Sequence, residues 1–148
     1  MNDAFVREIS LIGEENFQKL QKAHVAVFGI GGVGSYAAEA LVRAGIGALT
    51  FVDGDAVAPS NLNRQIVALH STLGRNKAEV MKERALDIAP ECRVRAVAGF
   101  FGADRADEFD FSAYDYVADC IDSVKSKVLL ICRARQAGVP VISCMGAG

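Results

Sequence analysis

The stretch His24–Gly34, HVAVFGIGGVG, decides the reading of the fold. Its first five residues, 24–28, are β-branched or apolar and read as a strand. The turn Gly29-Ile30-Gly31-Gly32-Val33-Gly34 follows at once, and a helical period opens behind it. Glycines let the backbone come close to a phosphate, and free N–H groups at a helix N-terminus stabilise negative charge. The helix predicted over 33–44 carries Ala37, Leu41 and Ala44 on one face and stops at Gly45. A second strand, 49–52, ends at Asp53, which lies 22 residues after Gly31. A carboxylate there accepts hydrogen bonds from ribose hydroxyls. The order strand, glycine turn, helix, strand, acid is a nucleotide-binding fingerprint in its proper context; the competing reading is that the glycines serve only tight packing. NAD, FAD and ATP sites all use this arrangement, so the turn alone leaves the nucleotide open.

The same alternation continues outward. A helix is predicted over 77–89, with Val80, Met81, Ala85 and Ile88 on one stripe and Pro90 past its end. Strands are predicted at 94–98, 116–121 and 139–143. Ser123 caps a helix that turns Val124, Val128 and Ile131 inward and stops at Gly138. Upstream, 14–22 reads as one short amphipathic helix with Phe17 and Leu20 inward. Nearly continuous apolar strands joined by helical crossovers predict an α/β, Rossmann-like doubly wound, mainly parallel sheet preceded by a short N-terminal helix. The chain stops at Met145-Gly-Ala-Gly148, straight after a strand. Residues 1–148 therefore read as a single domain that forms the N-terminal part of a longer protein.

Composition narrows the function classes. The chain has 148 residues, 51% of them apolar and 23% charged, enough to build a core rather than a disordered segment. The formal charge is −2, which argues against binding nucleic acid through overall charge. Cys92, Cys120, Cys132 and Cys144 are scattered and form neither a C-x-x-C pair nor a disulfide framework. With neither a signal-peptide pattern nor a membrane-length apolar run, the expected home is the cytoplasm. Four phenylalanines, Phe100, Phe101, Phe109 and Phe111, crowd one connection and read as cover for the sheet edge or an interface.

The stretch behind the second strand separates the nucleotides. It runs DGDAVAPSNLNRQ from Asp53 to Gln65 and brings Asp55, Asn61 and Arg64 past the ribose position. Lys77 starts the next helix, and Asp122 lies beyond the fourth strand, where open α/β sheets bind ligands. Arg64 and Lys77 suit a triphosphate, and Asp122 suits Mg²⁺ held through one carboxylate plus phosphate oxygens. Hydride transfer has no use for this set, so an NAD-dependent oxidoreductase is the weaker alternative.

GIGGVGSYAAEALVRAGIG, DGDAVAPSNLNRQ, GRNKAEV and DCIDS together resemble the ubiquitin-activating-like ATP-dependent adenylating family, the ThiF/MoeB/HesA group. The resemblance runs over residues 5–148. Within the group, SNLNRQIVALHSTLGRNKAEV is most similar to the branch of tRNA threonylcarbamoyladenosine dehydratases, which use ATP to close a threonyl carboxylate into a cyclic ester. The resemblance implies roles by position. Gly29, Gly31, Gly32 and Gly34 form the phosphate-facing loop. Asp53 is the ribose-binding acid and Asp55 the second acid of the D-x-D. Asn61 and Arg64 contact the triphosphate, Lys77 neutralises charge near the α-phosphate, and Asp122 is associated with Mg²⁺. Arg7, in VREISLIG, implies an arginine that reaches a partner subunit's ATP site, hence a homodimer. Implied too are ATP and Mg²⁺ as cofactors and tRNA as substrate. In the alternative branch of the same chemistry, the substrate is the C-terminal glycine of a ubiquitin-like sulfur carrier, served by a cysteine desulfurase system.

Overall fold

The computed structural model describes residues 3–145. A 3₁₀ turn, Asp3–Phe5, leads into helix α1 (Val6–Ile12), helix α2 (Glu14–Lys22) and strand β1 (His24–Phe28). Helix α3 (Gly34–Arg43), strand β2 (Ala48–Val52), helix α4 (Lys77–Ile88) and strand β3 (Arg93–Val97) follow. Strand β4 (Tyr116–Asp119), helix α5 (Val124–Gln136) and strand β5 (Val141–Ser143) complete the described elements. The glycine-rich end read from the sequence falls on residues 146–148, outside the described residues.

Among the described residues the strands form one parallel sheet in the order β3-β2-β1-β4-β5. This is the expected doubly wound arrangement. Successive strand residues feed opposite cores. Val25, Val27, Leu49 and Phe51 pack with Ala38 and Val42 of α3 and Ala78, Met81 and Ala85 of α4. Ala26, Phe28 and Val52 pack with Leu130 and Ala134 of α5 and with Phe101, Phe109, Phe111 and Tyr114. Those aromatics come from the β3–β4 crossover and ring Phe28: Phe101 edge-on at 5.3 Å, Phe111 stacked at 5.8 Å. They cover the middle of the sheet rather than its edge, because the crossover runs back over β1, while Phe100 stays out.

Three details differ from the sequence reading. Helix α1 was not foreseen; its buried neighbour Phe5 packs on Phe17 at 5.2 Å. In α3 the buried line is Gly34, Ser35, Ala38, Glu39 and Val42, one position off Ala37–Leu41–Ala44. The contact of Gly34 with the loop sets that rotation: a Cβ there would stand 1.6 Å from the Gly29 carbonyl oxygen. In α5, Lys127, Leu130 and Ala134 point inward, while Val124 and Val128 are exposed. A buried ion pair, Lys127 Nζ to Asp119 Oδ2 at 2.8 Å, sets this phase, which apolar periodicity alone cannot register.

His24 opens β1 with its Nε2 2.9 Å from Thr50 Oγ1 and its ring edge-on to Tyr114. Burial holds its pKa below the ordinary 6.5; Arg93 and Arg95 push the same way, against the Ala113 carbonyl and Asp115. The unfolded chain therefore takes up a proton in a window where the folded chain does not, so this contribution to stability is lost as pH falls below 6.5. Thermal melts between neutral pH and about pH 5 are expected to fall less steeply for His24→Gln than for the native chain.

Candidate functional site

The chain leaves β1 toward β2 and leaves β4 toward β5, so the carboxyl ends of β1 and β4 open a crevice between them. A cleft of about 720 Å³ lies there, lined by Gly29, Gly31, Gly32, Asp53, Asp55, Arg64, Gln65, Lys77, Phe100 and Asp122 among others. That volume suits a nucleotide-sized ligand, within the roughly 300–1,000 Å³ of small-molecule sites.

The glycines divide their work. Gly29 has φ +91°, and a Cβ there would stand 2.4 Å from the Cys120 carbonyl oxygen. Gly29 and Gly34 thus allow the turn to pack against β4 and against itself. Gly31 and Gly32 face the cleft, where an added Cβ would meet only Gln65 at 3.6 Å and Arg64 at 3.7 Å. Packing thus accounts for Gly29 and Gly34, while Gly31 and Gly32 leave the cleft open beside them. Ser35 Oγ donates to the Gly31 carbonyl at 2.5 Å and accepts from Ile66 N at 3.3 Å, tying the turn to the loop that carries Arg64.

Asp53 is buried. Its Oδ2 accepts from Ile30 N at 2.6 Å and its Oδ1 from Asp55 N at 2.8 Å, so it joins the turn to the D-x-D segment. Burial pushes its pKa above the ordinary 3.8, against the pull of these two amides and Lys77. Asn76 caps α4 by accepting from Glu79 N at 3.1 Å, and its Nδ2 donates to the carbonyls of Asp53 at 2.9 Å and Asp55 at 3.3 Å. This returns the long loop after β2 to its start. Lys77, the first residue of α4, is thereby buried with its Nζ 3.6 Å from Asp55 Oδ2.

The remaining predicted residues are placed as follows. Arg64 is exposed on the cleft rim; its Nη1 donates to the Ser60 carbonyl at 2.8 Å and Asn63 Oδ1 at 3.0 Å. Asn61 is buried outside the lining. Its Oδ1 accepts from Ala58 N at 2.9 Å, and its carbonyl accepts from the amides of Arg64 and Gln65, which shapes the turn that aims them. Asp122 lines the cleft, exposed, with no hydrogen-bond or ion-pair partner among the described residues. Asp119 is fully engaged by Lys127, by Ser143 Oγ at 2.6 Å and by Ile121 N at 3.1 Å. Arg7 lies exposed on α1, outside the lining of this cleft. His70 is exposed on a 3₁₀ turn, also outside it.

Three residues escaped the sequence reading. Gln65 is buried beside Gly31, and its Oε1 lacks a hydrogen-bond partner among the described residues. An orphaned buried acceptor marks a group completed by ligand or water. Phe100 is 63% exposed and lies over Gly54, where an added Cβ would meet the ring at 2.5 Å. Sequence shows four phenylalanines, not which one the core leaves at the rim. Lys127, a cation on a helix predicted only from its apolar positions, is buried. Cys120, at the cleft floor, has its thiol pushed up to about 12 by burial, with Cys144 and Asp119 adding to it. It is no ready nucleophile.

The chain is 49% identical over 138 residues to the tRNA threonylcarbamoyladenosine dehydratase of Escherichia coli K12, covering 93% of this chain and 52% of that protein. It is 43% identical over 143 residues to the Bacillus subtilis protein of the same name, covering 97% of this chain and 56% of that protein. The crystal structure of the E. coli dehydratase TcdA in complex with ATP superposes with a TM-score of 0.94 at 48% identity, covering 98% of this chain and 60% of that one. The chain thus spans about half the length of the curated relatives it matches. Residues 5–148 match the ThiF family, and the chain belongs to that family.

Proposed function

We propose that this chain is the ATP-binding unit of an enzyme that adenylates a substrate carboxylate, and that the substrate is the threonylcarbamoyladenosine of a tRNA. The observation that carries the reading is the convergence of Arg64, buried Lys77 and the unpartnered Asp122 on one cleft behind a glycine turn. The identity to dehydratases and the superposition on an ATP complex support it. The substrate carboxylate attacks the α-phosphorus of ATP, pyrophosphate leaves, and an acyl-adenylate forms. A neighbouring nucleophile of the same substrate then displaces AMP and closes the ring. A carboxylate is already ionised at neutral pH, so the first step needs no general base. Lys77 and Arg64 stabilise the charge that grows around phosphorus. Asn61 holds the turn that presents Arg64, and Asp53 receives the ribose.

Mg²⁺ fits the donor set. Asp122 lines the cleft with no hydrogen-bond or ion-pair partner among the described residues, and Mg²⁺ is commonly held by one or two carboxylates plus phosphate oxygens. When bound, the ion would neutralise phosphate charge. Asp119, occupied by Lys127, is unsuited to the ion. Asp122→Ala is expected to lower Mg²⁺-dependent AMP formation by about 10–100-fold; an unchanged Mg²⁺ dependence sinks the metal role. Phe100 stands beyond the ribose acid and offers a face to the adenine. Phe100→Ala is expected to weaken ATP binding about 5-fold, measured by calorimetry.

Further parts of the reading rest on the family resemblance: a homodimer with Arg7 reaching the partner's cleft, and a cytoplasmic setting. Among the described residues no helix is long and apolar enough to cross a membrane. The deciding experiment incubates the full-length protein with ATP, Mg²⁺ and tRNA carrying threonylcarbamoyladenosine. Expected are AMP, pyrophosphate and a nucleoside lighter by one water. AMP release only with a ubiquitin-like sulfur carrier would transfer the activity to that substrate, and NAD binding without ATP binding would restore an oxidoreductase.

A further inference from the structure

The crossover from β3 to β4, residues 98–115, is built of two short 3₁₀ turns, Ala106–Glu108 and Phe111–Ala113. Its aromatics cover the sheet over Phe28 and Val52. The amino ends of β1, β2 and β3 on the same face stay open. A cavity of about 400 Å³ lies there, lined by His24, Thr50, Arg93, Arg95, Asp110 and Tyr114 among others. Five residues of β1 separate its level from the glycine turn, about 17 Å at the rise of a strand.

Five of the ten arginines pair with a carboxylate, and two of the other five share this cavity. Arg43, Arg75, Arg84, Arg105 and Arg133 each pair with a carboxylate. Arg93 and Arg95 have no carboxylate partner among the described residues, although both are on the wall of one cavity. They are two residues apart on edge strand β3, so they project from the same face, opposite Ala48 and Thr50. The nearby acids bond other groups but keep their charge, and Glu108 feels Arg95 as well as its partner Arg105. Asp110 Oδ1 accepts from Ser112 N at 3.1 Å and Ser112 Oγ at 2.5 Å. Asp115 accepts from His24 N at 2.7 Å, and Glu108 pairs with Arg105 at 2.7 Å. The His24 ring and the Thr50 hydroxyl, bonded to each other at 2.9 Å, supply neutral polar groups at the floor. Two guanidiniums side by side over polar groups suit a phosphate, whose oxygens take paired N–H donors.

We infer that this cavity binds a phosphate group, and that the group belongs to the backbone of the RNA whose reacting nucleotide enters the ATP cleft. The inference rests on the proposed tRNA substrate for its source, and on the cavity alone for its chemistry. These 148 residues carry a net charge of −2, so attraction of RNA to this part rests on local cations such as Arg93 and Arg95. The spacing of about 17 Å lets one folded RNA touch both places. Free inorganic phosphate shares the chemistry and is the other source.

The test uses the full-length protein and the variant Arg93→Gln/Arg95→Gln, with retained ATP binding as the check on folding. Affinity for tRNA is measured across a salt series. The expected result is about a 10-fold weaker Kd and a salt slope smaller by about 1–2, with the KM for ATP unchanged. Arg93→Lys/Arg95→Lys keeps the charge and is expected to retain the salt slope; it serves as the probe if the glutamine variant fails to fold, since equal loss of slope in it would overturn the inference. Unchanged tRNA affinity and slope in the glutamine variant overturn it as well, while cyclised product from the native protein leaves the proposed function standing. Arginine-dependent tRNA binding without cyclised product does the reverse. Saturable inorganic phosphate binding that the variant loses, with tRNA affinity unchanged, overturns the RNA source.

Discussion

Replacing Lys77 with alanine in the full-length protein is expected to lower ATP-dependent AMP formation by about 10²–10³-fold, the loss typical of removing one donor that stabilises transition-state charge. Lys77 is held where this effect is large. It is buried, it starts α4, and its ammonium lies 3.6 Å from Asp55 at the edge of the cleft. Attack on the α-phosphorus builds negative charge at a water-poor position, where a fixed cation counts for more than in solvent. The substitution also removes a cation from beside Asp53, the residue proposed to receive the ribose, so ATP affinity is expected to fall as well. Both kcat and the ATP dissociation constant are therefore to be measured, with the larger change in kcat. A kcat within about 3-fold of native would remove Lys77 from the chemistry.

The second large effect concerns stability. Lys127→Ala is expected to destabilise the protein by about 3–5 kcal/mol, because it leaves Asp119 charged and buried without its cation. Asp119 is fully inaccessible, and the Lys127 ammonium also donates to Ser143 Oγ at 3.3 Å and the Cys144 carbonyl at 2.9 Å. One side chain thus ties the end of β4, the start of α5 and the end of β5. At about 2–4 °C per kcal/mol for a protein of this size class, the thermal midpoint is expected to fall by roughly 6–20 °C. Lys127→Met keeps the apolar stem and is expected to lose a similar amount, which separates charge from packing. A shift under about 2 °C in both variants would show that the pair contributes little. Asp122 follows the same strand end, so the loss of this tie is also expected to loosen the cleft.

Much of this molecule is legible in its residue order. The strand cores and the glycine turn are local patterns, so β1 and α2 carry the predicted boundaries and the others fall within a few residues. The crossover phenylalanines are legible as cover, but not that they cover the middle strand rather than the edge, because sequence does not say where a crossover lies over the sheet. The N-terminal α1 was not read, since Val6–Ile12 buries no residue and shows no clear apolar stripe. The phases of α3 and α5 were misread by one position. In each, a contact that no hydropathy pattern records, the Gly34 backbone approach and the Lys127–Asp119 pair, sets the rotation.

The site divides along the same line. The sequence by itself determined the residue types and their chain order: the glycine turn, the D-x-D, Arg64, Lys77 and Asp122. The glycine turn, the D-x-D and Lys77 lie at a strand end or helix start, where a parallel sheet gathers its loops, whereas Arg64 is carried by the long loop between β2 and α4. Only the tertiary structure decided which of two strand-end aspartates is available. Asp119 and Asp122 are three residues apart and chemically alike, yet one meets a buried ammonium and the other faces the cleft. It alone decided that Asn61 shapes a turn outside the lining, that Gln65 carries an orphaned acceptor, and that Phe100 rather than its three neighbours reaches the rim. The reason is physical: burial and partnership arise from segments far apart in sequence, and no local pattern encodes which distant group will arrive.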